Sequence, residues 1–148
     1  MREARTLASW VIALFVTVML LWVAAEALAP QPPAKNHLFE VFRDSSGISY
    51  FEPAGRFAFG VLEALFALLI LIPVTRRVGA ILATLLLLGL AALVGQLMML
   101  GIQVPVDVIG EAGVVTTATD PSGLFYLVVG LLAASVALIF VHPGRAAD

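Results

Sequence analysis

The sequence predicts an all-α integral membrane protein, a four-helix bundle with both ends on the cytoplasmic side. Three observations predict it. Apolar residues make up 61% of the 148 and charged residues 12%, against roughly half and a quarter in soluble domains. Mean hydropathy is +1.07, and a chain so apolar needs lipid as its solvent. Four apolar runs, about Leu7–Ala29, Pro53–Ile72, Val78–Ile102 and Gly123–Val141, each approach or exceed the roughly 20 residues that cross about 30 Å of hydrocarbon. Residues 1–148 are therefore expected to form a single membrane domain, with connections over 30–52 and 103–122.

The first run begins after Arg2 and Arg5 and ends at Ala25-Glu26-Ala27, which has some features of a secretory signal. Its apolar stretch outruns the roughly 7–15 residues of a signal core, and a glutamate at the cut is out of place. The expectation is that it stays as the first helix, with Trp10 and Trp22 near opposite ends as interface aromatics. The second run opens with Glu52-Pro53, an acidic cap followed by proline at the first helical position. It stops at Pro73, and Val74–Arg77 is expected to turn into the third run. The fourth run starts after Asp120-Pro121-Ser122-Gly123 and stops at His142-Pro143-Gly144, both good helix breakers.

Orientation follows from the basic residues of the short segments. Arg2, Arg5, Arg76, Arg77 and Arg145 fall on one side, and Lys35, Arg43 and Arg56 on the other. The richer side is cytoplasmic. The polar stretch Pro30–Glu52 then faces outward, too short to build a core of its own.

Composition also excludes functions. Net charge is −2 and no Lys/Arg cluster exists, so a nucleic-acid partner is excluded. Cysteine is absent, which removes disulfides, thiolate metal sites, iron–sulfur ligation and haem attachment through Cys. Neither His37 nor His142 has metal-ligand spacing around it, so no metal site is expected.

Glu63 is the most informative polar residue. Counting from Pro53 at 1.5 Å per residue places it about 15 Å deep. A carboxyl there costs roughly 2.5–3.5 kcal/mol on insertion scales, so it faces protein or water and needs a partner. Arg56, Gly60, Glu63 and Ala67 form one stripe, whose small members admit a close neighbour. Glu26 and Gln96 reach similar depths. Glu26, Arg56, Glu63 and Gln96 are therefore the candidate polar site. Three readings stay open: a structural network pairing Arg56 with Glu26 and Glu63 with Gln96, a ligand or proton-handling site, and a partner contact. Ala91-x-x-x-Gly95 and Gly130-x-x-x-Ala134 are candidate close-packing pairs.

Several segments share an order and spacing with a known family. They are Phe51-Glu52-Pro53-Ala54-Gly55-Arg56-Phe57, Gly60-Val61-Leu62-Glu63, Leu69–Pro73, Thr75, Gly79-Ala80, Leu100-Gly101-Ile102 and Gly123-Leu124-Phe125. Over roughly Phe39 to Val141 the chain resembles the DoxX-like family of small four-helix membrane proteins. Arg56 and Glu63 fall on the family's Arg and Gly-x-x-Glu positions. Gln96 stands where many relatives carry a histidine, which weakens any case for proton or metal chemistry there. Val104–Pro121 is longer than the family pattern and is a candidate partner-docking segment. The resemblance implies a non-catalytic accessory subunit of a redox or quinone-linked complex, in a bacterial inner membrane. On this reading the chain carries no covalent cofactor and its polar site meets a quinone, a lipid or a partner. Redox-complex subunits or a second copy are the partners implied, beside membrane lipid. An alternative is a small carrier of a lipophilic or weakly acidic molecule using Glu63, and a third is a purely structural assembly factor.

Overall fold

The computed structural model describes residues 2–29 and 37–141. The helices are α1 (Arg2–Leu28), α2 (Leu38–Ser46), α3 (Ala54–Leu71), α4 (Arg76–Met99) and α5 (Ser122–Val141). A 3₁₀ turn over Ser49–Phe51 joins α2 to α3. Strands β1 (Val104–Gly110) and β2 (Gly113–Thr119) pair antiparallel between α4 and α5. Among the described residues, α1, α3, α4 and α5 are long and apolar enough to cross a membrane, which makes this a four-span helical membrane protein. The stop at His142 lies outside the described residues, as do Lys35 and Arg145.

The bundle is apolar on both its inner and outer surfaces. Inside, Ala13, Val16 and Leu20 of α1 meet Ala67 and Ile70 of α3, with Ala83, Val94 and Leu138 from α4 and α5, all fully buried. Outside, Phe15, Leu68, Leu85 and Phe140 are more than half exposed, and such a surface is stable only against lipid. Without a hydrophobic drive between helices, close packing holds the bundle. Gly60 supplies one such contact: an added Cβ would lie 2.9 Å from Leu28 Cγ and 3.0 Å from Ala27 Cβ. Gly79 supplies a tighter one, where a Cβ would lie 2.8 Å from the Ile70 nitrogen and from Leu69 Cβ. Gly95 faces Phe125 of α5, whereas Gly130 is exposed and faces open space. The Gly130/Ala134 pair therefore makes no close contact through Gly130 among the described residues.

Two differences from expectation concern helix ends. The third span begins at Arg76, two residues before Val78, because Ile72–Thr75 suffices for the turn. Thr75 Oγ1 donates to Leu69 O at 2.8 Å and closes the end of α3. The same span stops at Met99 rather than Ile102. Gly101 adopts φ 66°, its N–H donates to Met98 O, and Ile102 N–H donates to Leu97 O. That is a Schellman stop, which needs the left-handed residue glycine supplies.

The described ends of α1 and α5 lie together. Arg5 donates to Phe140 O at 3.3 Å, and Arg76 reaches Ser9. This end holds the start of α1, the α3–α4 turn and the end of α5. The opposite end holds α2, the 3₁₀ turn and the hairpin. The expected connections are thus not plain loops, and two short strands join an otherwise helical fold.

Candidate functional site

A cavity of about 410 Å³ opens at the α2 end of the bundle. All five helices wall it: Trp22 and Glu26 from α1, Phe39 from α2, Arg56 and Glu63 from α3, Leu87 and Leu90 from α4, and Leu127 and Leu131 from α5. Four of those helices are held by the packing described above. The fifth, α2, is amphipathic, burying Leu38 and Phe42, and ends at Gly47, whose N–H donates to Arg43 O. Phe39 packs on Phe59 of α3 with ring centroids 5.7 Å apart, and Phe42 on Phe51 at 5.8 Å. An aromatic contact thus seats α2 beside the cavity.

Glu63 is 1% exposed and lines this cavity, and its Oε2 has no hydrogen-bond partner. A carboxyl desolvated without a partner is costly at membrane depth. Arg56, seven residues earlier, is engaged elsewhere. Its Nε lies 3.1 Å from both oxygens of Glu52, its Nη1 donates to Ala27 O on α1, and its Cζ sits 4.5 Å from the Phe57 ring centre. Arg56 and Glu52 are only 14% and 11% exposed at the side chain.

Three of the four expected site residues, Glu26, Arg56 and Glu63, therefore line one cavity. The expected pairing within it differs. Arg56 takes Glu52 in place of Glu26, because the Glu52 carboxylate stands just ahead of the start of α3, four residues before Arg56 in the chain. It still reaches α1, through the backbone of Ala27. Gln96 lies elsewhere, exposed in a separate shallow groove with Gly95, Met99 and Phe125. At about 100° per residue, nine positions turn Gln96 to the opposite side of α4 from Leu87. Glu63 has no bond to it.

Two polar clusters went unforeseen. Arg76 is 2% exposed, with Nε donating to Ile70 O at 3.0 Å, Nη1 to Ser9 Oγ at 3.3 Å, and Cζ stacked 3.9 Å from the Trp10 ring centre. It ties α4 to α1 and α3, and Trp10 serves as its platform. The signal was Ser9 and Trp10 beside each other in an apolar run, with a basic pair opening the facing helix. The second cluster joins α2 to β1. His37 Nδ1 is 2.6 Å from Glu40 Oε2 and its Nε2 is 3.0 Å from Asp107 Oδ2. Thr116 Oγ1 donates to Asp107 Oδ1 at 2.6 Å. The hydrogen bond to Glu40 foremost, and the Asp107 carboxylate beside it, raise the His37 pKa above its ordinary value. The Asp107 partner is 70 residues distant, beyond the reach of local spacing. No group of three or more metal-ligating side chains occurs among the described residues.

Comparison with protein-family models, with curated proteins and with solved structures yields no match to this chain.

Proposed function

We propose that this protein is a non-catalytic membrane subunit that holds the head group of a lipophilic molecule in the cavity beside Glu63. The observation that carries the reading is a desolvated, partnerless carboxyl on the wall of a cavity otherwise lined mainly by apolar side chains. Sites for small lipophilic molecules combine such a lining with a few placed polar groups. A purely structural network accounts less well for Glu63, since Arg56 pairs with Glu52 and Gln96 faces away. No recognised redox cofactor motif is present in the sequence, so the role proposed is binding rather than chemistry.

The DoxX-like resemblance implies a redox or quinone-linked complex for such a subunit, with a quinone or lipid as the ligand. In that setting β1–β2 is the segment proposed to meet a partner subunit, and the α2 end faces outward from a bacterial inner membrane. The carrier reading shares the cavity and Glu63, and the missing partner of Glu63 favours it too.

Glu63→Gln tests the proposal. The amide keeps shape and hydrogen-bonding capacity, so stability should stay within about 1 kcal/mol of wild type. The expected result is a folded protein that retains less lipophilic ligand and recovers less complex after gentle purification. Wild-type recovery of both would make Glu63 a structural residue.

A further inference from the structure

The charge of the cavity wall narrows what it can hold. Among the described lining residues are three acids, Glu26, Glu52 and Glu63, and one base, Arg56. Arg56 is paired with Glu52 and donates to Ala27 O. Glu26 on α1 and Glu63 on α3 are left without a base, while α4 and α5 contribute only apolar side chains to the wall. An anionic head group would meet two acids and, among the described lining residues, no cation that is not already paired. A neutral head group would leave both acids uncompensated. Trp22, Phe39 and Phe59 add aromatic surface to the same wall, and aromatic faces attract cations most strongly where water is excluded.

We infer that the cavity takes a cationic amphiphile, with Glu63 as the counter-ion of its head group and the aromatic side chains around its apolar body. This rests on the reading of the cavity as a binding site and departs from the quinone that the family resemblance implies. Glu63 is suited to the task because it is buried and unpaired. A lone carboxyl at this depth is costly whether ionised or holding its proton without a hydrogen bond, and a cationic head supplies what it lacks. Glu26, exposed on the first helix, adds negative charge along the approach. Long-range attraction of that kind raises the local concentration of cations.

Tetraphenylphosphonium and tetraphenylborate, alike in size and opposite in charge, test the inference. Binding is measured on the full chain in nanodiscs of zwitterionic lipid, with protein-free nanodiscs subtracted and a short-chain quinone run alongside. Tetraphenylphosphonium should bind the wild type, and at least about tenfold more weakly to Glu63→Gln, a loss of 1.4 kcal/mol or more. Glu63→Asp should recover part of that affinity, and tetraphenylborate should show no protein-dependent binding. Equal binding of tetraphenylphosphonium to wild type and Glu63→Gln, or preference for the borate, overturns the inference. Binding of the quinone without the phosphonium overturns it as well, yet leaves the cavity standing as a binding site. Failure of all three probes removes that wider reading too.

Discussion

Gly79 and Glu63 show how single residues set the bundle. At Gly79 the facing atoms are the backbone of Ile70 and Leu69 in the preceding helix, which cannot rotate aside as a side chain can. Gly79→Ala therefore forces α3 and α4 apart at their shared turn, and overpacking of this kind costs about 1–3 kcal/mol. Gly130→Ala is the matched control, since nothing lies within 4 Å of its added Cβ, and alanine is the better helix former. Thermal unfolding of both variants in one detergent should show a lower midpoint for Gly79→Ala and an unchanged or higher one for Gly130→Ala. Equal midpoints would mean that α3 and α4 do not approach as closely as described. At Glu63 depth and the stripe with Arg56 and Gly60 were legible from spacing along one helix. Its lack of a partner was not, because that depends on where Glu52 and Gln96 point, and each is set by a different turn or face.

Among the elements, the spans were the most legible part of the chain. Lipid imposes a length on each helix, and Pro73 and Asp120 mark a stop and a start by local chemistry, whereas the stop at Gly101 was missed and the third span was expected to run on to Ile102. Hairpin β1–β2 and helix α2 were not legible, for physical reasons. The hairpin's Val106, Asp107 and Val108 alternate only briefly, and β2 is exposed along its whole length, so no buried face imposes a period on its sequence. Helix α2 spans nine residues and owes its place to aromatic contacts with distant elements. Its anchor to the hairpin is the His37 cluster, and this makes a prediction. Both ring nitrogens face carboxylate oxygens, which only accept, so the imidazolium satisfies both bonds and the neutral ring one. The folded state raises the His37 pKa from its ordinary 6.5. The stabilisation is therefore complete below about pH 6.5 and fades as pH rises through the higher folded value. Wild-type melting temperature should fall between pH 5.5 and pH 8.5. Asp107→Asn removes one of the two charges and should flatten that fall. An unchanged slope in the variant would show that the cluster does not couple α2 to β1.

At the scale of the whole molecule, four spans bring the start of α1, the α3–α4 turn and the end of α5 to one face. The excess of Lys and Arg at that face predicts that it is cytoplasmic. Cysteine is absent, so single cysteines report sidedness without background. Ser46→Cys at the end of α2 should react with an impermeant thiol reagent in intact cells, and Val74→Cys in the opposite turn should stay silent until the membrane is opened. Reversed labelling would turn the molecule over. The cavity belongs to this scale too, since no single helix encloses it and all five contribute to its wall. Its presence as a binding site is the central claim, and filling it is the most direct test. Leu127→Trp places an indole in the space while leaving Glu63 and Arg56 untouched. The measurement is mass spectrometry of small molecules extracted from wild type and Leu127→Trp, each purified in mild detergent and confirmed as folded. The account predicts a lipophilic molecule enriched over bulk lipid in the wild type and lost from the filled variant. Equal retention by both proteins, or no enrichment in the wild type, would contradict it.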